Sequence, residues 1–310
     1  MVTGAAGFVG SHLVRRLLVA GCDVAAVMRP STEPWRLADL TNSIETIRCE
    51  LDELSQPETA SRLHGAALVF HLAAAGTNQS DNQLTRVLKT NVDAMAHVVA
   101  LARALKVERL VCAGTGFEYG PTARATETSE SRPVSEYAAS KAAGLMLTRT
   151  LCRIEEVPLT WLRTFSVYGP LQAHYFVVPH TIVKALRGET IDITGGEQTR
   201  DFVHIDDVVD AYLAAAEVPS AADDVFNICT GVPTTIRGLV EDIVAATGGG
   251  ARPSFGERPY RSREVWSSWG DPSKAARVLG WRPRTAIHEG LRATIDWFRR
   301  HAATYNEYRP

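Results

Sequence analysis

The stretch SEYAASKAA, residues 135–143, sets Tyr137 and Lys141 four positions apart in a run rich in alanine. Four residues is about one helical turn, so both side chains share a helix face. A free phenol keeps its proton up to pH ~10, and a neighbouring ammonium that stabilises the phenolate makes proton exchange possible nearer neutrality. Tyr137 and Lys141 are therefore a candidate acid–base pair. A third group follows the strand-like run RLVCA (109–113), where the loop GTGFEYGP carries Thr115, Glu118 and Tyr119. Doubly wound sheets bind ligands at the carboxyl ends of their strands, so Thr115 can hold a substrate oxygen beside Tyr137, and Glu118 is a candidate substrate contact. Each also has a plainer reading: a snorkelling lysine, a turn-forming hydroxyl, a surface carboxylate.

The elements that must position these groups are legible from the start of the chain. MVTGAAGFVGSHLVRRLLVAG has Gly4, Gly7 and Gly10 spaced by three, then apolar Val9, Leu13, Leu17 and Leu18 at helical spacing. A glycine turn opening a helix is a phosphate cradle: backbone at Gly4, Gly7, Phe8, Val9 and Gly10 can approach a pyrophosphate, and the helix N-terminus favours its charge. AGCDVAAVMRP follows as turn and buried strand, completing a β-α-β unit. Only Met1 and Val2 precede the motif, and a first strand of about five residues would begin upstream of Met1. The second strand ends at Met28 and Arg29 with no acidic residue for the adenosine ribose, and a guanidinium there suits a 2′-phosphate, favouring NADP over NAD. A later strand ends at Cys49 and Glu50, with Glu50 and Leu51 as candidate cofactor contacts, and the next ends at Leu72 with small Ala73 and Ala74, where a flat cofactor can lie against backbone. Residues 83–105 read as one long helix carrying Asn91.

Composition bounds the rest. The 310 residues are 45% hydrophobic and 22% charged with net charge −2, as expected of a globular protein with no electrostatic attraction to nucleic acid or membrane surfaces. The five cysteines lack paired or metal-ligand spacing and read as buried, reduced core residues of a cytoplasmic protein. No apolar run reaches the ~18 residues of a membrane span, and no metal-ligand cluster is visible. Tyr175, Phe176, Trp266 and Trp269 read as core, and residues 125–135 as a mobile loop.

With these pieces in place the chain resembles the extended short-chain dehydrogenase/reductase family, in its nucleotide-sugar epimerase, dehydratase and ketoreductase group. The marks are TGAAGFVG (3–10), HLAAAG (71–76), TNV around Asn91, GTGFEYG (114–120), YAASK (137–141), RTFSVYGP (163–170) and TRDFVHIDDVVDA (199–211), with DPSKAARVLGWRP (271–283) near the end. The resemblance implies that Thr115, Tyr137 and Lys141 are catalytic and that Asn91 belongs to the cofactor site. It implies also that Arg200 and Arg261 grip a nucleotide diphosphate and that Ser166, where relatives commonly carry asparagine, contacts substrate.

The implied fold is α/β: a doubly wound, mostly parallel Rossmann sheet over residues 1–170, to which 201–230 return, with a smaller nucleotide-sugar lobe from 171–200 and 231–310. Homodimers through the helices near 83–105 and 137–155 are common in such families. Gly116 and Phe117 stand where dehydratases carry an acid–base pair, which disfavours 4,6-dehydration. The expected activity is hydride transfer at C4 of a nucleotide-diphosphate sugar with NADP or NAD, as a 4-ketoreductase in preference to a 4-epimerase; a non-catalytic dinucleotide-binding protein is a remoter alternative.

Overall fold

Short apolar runs separated by amphipathic helices can bury both strand faces only between two helical layers. The computed structural model, which describes residues 1–77, 83–248 and 250–301, has that arrangement. Its main sheet contains β1 (Val2–Thr3), β2 (Ala25–Met28), β3 (Glu45–Arg48), β4 (Leu68–His71), β5 (Arg109–Thr115), β6 (Leu159–Thr164) and β7 (Asp224–Ile228). They lie in the order β3-β2-β1-β4-β5-β6-β7, every neighbouring pair parallel. The order reverses between β1 and β4, and that switch point is where such sheets hold ligands.

Helices α1 (Phe8–Val19) and α4 (Ile205–Glu217) cover one face, closing a core that includes Val2, Leu13, Phe70, Leu162, Tyr212 and Phe226. Helices α2 (Ala94–Leu105) and α3 (Glu136–Ile154) cover the other, over Val69, Val98, Leu110, Cys112 and Trp161. Each fully buried side chain of this size stabilises the fold by about 1.5–3 kcal/mol before entropy is counted. The strand β1 is only two residues long, and the buried Met1 amino group donates to the Leu68 carbonyl at 2.9 Å. Burial lowers that amino group to about 6.

The strand Thr199–His204 leaves the main sheet. It runs antiparallel to Pro233–Thr235 and parallel to Ser267–Gly270 and Ser166–Tyr168. Its Asp201 carboxylate is buried and accepts from Thr230 N at 2.7 Å, Thr230 Oγ1 at 2.6 Å and Gly231 N at 2.8 Å, tying this strand to the end of β7. A third core, with Tyr168, Ile182, Leu239, Ile243, Leu291 and Phe298, lies beside it. The last part of the expected lobe, 302–310, is outside the described residues.

Three local expectations change. Trp266 and Tyr175 are exposed, while Cys22 is exposed and the other four cysteines are buried and free. Residues 125–135 are pinned: Asn227 N donates to Glu127 at 2.8 Å, Thr126 N to Ser129 at 3.0 Å and Ser131 Oγ to the Glu118 carbonyl at 2.8 Å. Among the described residues no helix is long and apolar enough to cross a membrane.

Candidate active site at the carboxyl ends of the strands

Thr115 is the last residue of β5, buried, and Ser135 caps α3 by accepting from Ala138 N at 3.2 Å. The cap places Tyr137 in the first turn of α3, where its phenol shares a hydrogen bond with the Thr115 side chain. Burial and the nearby Glu118 carboxylate raise the phenol to about 12, and the bond to Thr115 opposes them. Tyr137 is thus held as the neutral acid. Lys141, one turn on, is buried with its ammonium 5.3 Å from the centre of the Trp161 ring, and burial lowers its pKa. The expected stabilisation of phenolate by Lys141 is not what sets the Tyr137 pKa here.

Glu118 corrects a sequence expectation. Its side chain is fully buried, at 0% exposure, and both oxygens are used: Oε1 accepts from Thr115 N at 2.9 Å and Trp161 Nε1 at 3.1 Å, and Oε2 from Arg163 Nε at 2.7 Å. It faces the protein rather than the groove, so it is neither a substrate contact nor a surface charge.

The expected helix over 83–105 is broken by a π-turn, Lys89–Asp93, and such turns redirect side chains at functional sites. Here the turn aims the buried Asn91 amide inward. Its Oδ1 accepts from Ala75 N at 2.9 Å, and its Nδ2 donates to the Ala75 carbonyl and to Ser140 Oγ, both at 2.9 Å. Gly144 makes the approach possible, because a Cβ there would collide with the Asn91 carbonyl oxygen. Asn91 therefore locks the segment after β4 to α3; its amide is spent on protein groups instead of a cofactor.

At the switch point, Gly4 has φ +64°, and a Cβ on it would stand 2.7 Å from Ala73 N. The loop after β1 thus lies against Leu72–Ala73, and Gly7 caps α1 with no side-chain bond. The N–H groups of Phe8 and Val9, in the first turn of α1, have no intrahelical acceptor. Ala73 and Ala74 are partly exposed beside them. His71 lies beneath this loop, buried, with Nδ1 2.8 Å from Thr3 Oγ1 and Nε2 without a partner among the described residues. Burial, reinforced by the charge of Lys141, lowers it to about 3. Arg29 is exposed just past β2; Glu50 is exposed and Leu51 half-buried past β3, where Glu50 N donates to Glu53 at 2.8 Å.

On the far side of the groove Arg200 donates to the Val265 carbonyl at 2.6 Å and pairs with Glu264 at 3.0 Å, not with Asp201. Its guanidinium lies 5.9 Å from the Phe117 ring centre. Arg261 is exposed and close enough for its charge to depress the Arg200 pKa, though burial is the larger cause. Ser166 is half-buried at the start of its strand, and the Tyr260 and Trp266 rings stand 4.7 Å apart.

Residues 1–229 match the NAD dependent epimerase/dehydratase family. The chain is 33% identical over 310 residues to a UDP-glucose 4-epimerase of Mycolicibacterium smegmatis, an alignment covering 96% of this chain and 98% of that one. The chain belongs to the NAD dependent epimerase/dehydratase family. Solved relatives superpose over nearly the whole length. A UDP-glucose 4-epimerase of Thermotoga maritima, in complex with UDP-glucose, has 32% identity and a TM-score of 0.89, covering 97% of this chain and 98% of that one. MoeE5, in complex with UDP-glucuronic acid and NAD, has 35% identity and a TM-score of 0.85, covering 96% and 98%.

As a member of the NAD dependent epimerase/dehydratase family the chain is an enzyme, and its residues fit a dinucleotide on structural grounds. The left-handed Gly4 turn packs against the small residues after β4, next to the N-terminus of α1, which no side chain caps. Sequence reasoning missed the Glu118–Arg163 pair and the role of Asn91. The one available signal was a carboxylate between aromatic residues, Phe117 and Tyr119, in an otherwise apolar turn.

Proposed function

We propose that this chain is an NAD-dependent 4-epimerase of a UDP-linked hexose. The observation that carries the reading is the hydrogen-bonded Thr115–Tyr137 pair with Lys141 one turn away, flanked by Gly116 and Phe117, which cannot exchange protons. Dehydration needs an acid and a base there, whereas epimerisation needs only one group that takes a proton and returns it. The UDP moiety and NAD follow from the relatives solved with them.

In this reading Tyr137 accepts the proton of the C4 hydroxyl as hydride leaves C4, giving a 4-keto sugar, and returns the proton after hydride comes back to the opposite face. Bound NAD supplies the hydride acceptor. Thr115 hydrogen-bonds the same oxygen, and Lys141 holds the cofactor ribose and offsets developing negative charge. Gly4, Gly7, Phe8, Val9 and Gly10 cradle the pyrophosphate, with Glu50, Leu51 and Leu72–Ala74 along the adenosine side. Arg200 and Arg261 hold the substrate diphosphate by charge-assisted bonds, with Ser166 beside it. Residues 1–170 with 201–230 bind the cofactor in this scheme, and 171–200 with 231–310 bind the sugar nucleotide.

Ketoreduction at C4 is the second reading, favoured by the exposed guanidinium of Arg29 at the ribose position. Incubation of purified protein with UDP-glucose separates the two. UDP-galactose forming with no added cofactor is the expected result; turnover of a 4-keto sugar only with stoichiometric NADPH would replace this reading by the second.

We infer also that the protein is a cytoplasmic homodimer across α2 and α3. Leu84, Leu88, Met146 and Ile154 are 54%, 41%, 75% and 68% exposed on that side, and Ala139 and Ala143 between them leave room for close helix contact. Ala143→Glu is expected to shift the mass measured by light scattering from dimer to monomer. A wild-type monomer would refute the assignment.

A further inference from the structure

Beneath the reacting groups lies a chain of buried polar side chains that proton transfer at Tyr137 does not itself require. Glu118 pairs with Arg163, whose Nη1 donates to Tyr119 Oη at 2.8 Å; that hydroxyl donates to Asn227 Oδ1 at 2.7 Å, and Asn227 Nδ2 donates to the Ala125 carbonyl at 2.8 Å. The Arg163 guanidinium also stacks 4.4 Å from the Tyr119 ring centre. A buried ion pair is a weak source of stability, because desolvating two charges offsets their attraction and an apolar pair of the same volume often serves as well. What distinguishes this pair is its placement. One carboxylate oxygen receives the backbone N–H of Thr115, in a capping arrangement whose other half is the Thr115 hydroxyl accepting from Phe117 N at 3.3 Å.

We propose that Glu118, held by Arg163, is a positioning residue for the reaction: it fixes the end of β5 so that the Thr115 hydroxyl meets the Tyr137 phenol. Its carboxylate charge acts in the same direction as burial, favouring the protonated phenol. The proposal rests on the reading that Tyr137 is the proton carrier. The groups facing the phenol support it. From β5 and the turn after it come Thr115 and Glu118, and from α4 Tyr212; Lys141, one turn along the same helix, is near the same Glu118 charge. Facing Lys141 in turn are His71 at the end of β4 and Cys112 on β5. Burial pushes Tyr212 and Cys112 up and His71 down to about 3, so these three are neutral near pH 7. Glu118 is then the one carboxylate acting on the phenol among the described residues.

Glu118→Gln removes the charge and keeps an oxygen for Thr115 N and Trp161 Nε1. The readout is the Tyr137 ring-carbon resonance in protein labelled at tyrosine Cζ, assigned by its absence in Tyr137→Phe. Removing a nearby negative charge favours phenolate, so the Tyr137 pKa falls by about one unit and its phenolate fraction at about pH 10.5 rises about tenfold. The acid limb of the kcat profile moves down by the same amount with KM nearly constant. Because Arg163 loses its partner in this variant, Glu118→Gln with Arg163→Gln is the companion, with a smaller shift of the same sign. An unchanged Tyr137 titration in whichever variant folds would overturn the proposal. The resonance is read without substrate, so a failure of the epimerase reading would leave this test standing.

Discussion

Tyr137→Phe lowers kcat by about 10² to 10⁴, the range for a lost general acid–base group, and leaves NAD affinity nearly unchanged. The substitution deletes one oxygen and keeps the ring. Its cost to the fold is one hydrogen bond, the one shared with Thr115, on the order of 1 kcal/mol. The large kinetic loss therefore cannot be ascribed to unfolding. A pKa of about 12 sharpens the expectation: before substrate binds, Tyr137 is a proton donor and almost never a base. Oxidation at C4 then requires that the phenol be lowered in the complete complex, by Lys141 and by charge brought in with the cofactor. Single-turnover kinetics and calorimetric titration with NAD check both halves. Near-normal kcat in the variant would remove Tyr137 from the chemistry.

Gly4→Ala abolishes measurable dinucleotide binding, a loss of more than about 100-fold. The added Cβ would stand 2.7 Å from Ala73 N and 2.9 Å from both Ala73 Cα and the Leu72 carbonyl carbon, backbone atoms of β4's exit that have no flexible end to yield. The φ of +64° adds strain for any residue with a Cβ. Together these amount to roughly 1–3 kcal/mol of overpacking plus about 1 kcal/mol of backbone strain. Relief comes only by separating the loop after β1 from the segment after β4. That separation opens the backbone proposed here to cradle the pyrophosphate. Calorimetric NAD titration with a thermal melt reads both effects, and unchanged affinity would show that the switch point does not hold the cofactor.

The order of legibility follows the range of the interactions. Tyr137 and Lys141 are related by one helical turn, and Gly4, Gly7 and Gly10 by one loop, so local spacing alone exposes their chemistry. The parallel sheet is legible for a similar reason, since each strand and helix announces itself within a dozen residues. Glu118 is not legible, because the residue that makes it a buried charge, Arg163, lies 45 positions away on β6 and reaches it only across two strands' ends. Asn91 misleads because a π-turn leaves no mark in hydrophobic spacing. Trp266 misleads because bulk predicts burial, whereas it is 51% exposed beside Tyr260 and the first residue of the Arg200 strand, Thr199. Arg29 marks the limit of reading specificity from one side chain: its charge suits a 2′-phosphate, whereas MoeE5, a solved relative, holds NAD.

The most direct measurement follows a deuterium placed at C4 of UDP-glucose. If hydride leaves C4 beside Tyr137 and returns within the same closed site, UDP-galactose forms with the label still at C4, no solvent hydrogen enters, and no reduced cofactor accumulates. Washout of the label to solvent, or interconversion with C4 deuterium displaced elsewhere in the sugar, would contradict hydride transfer at that carbon.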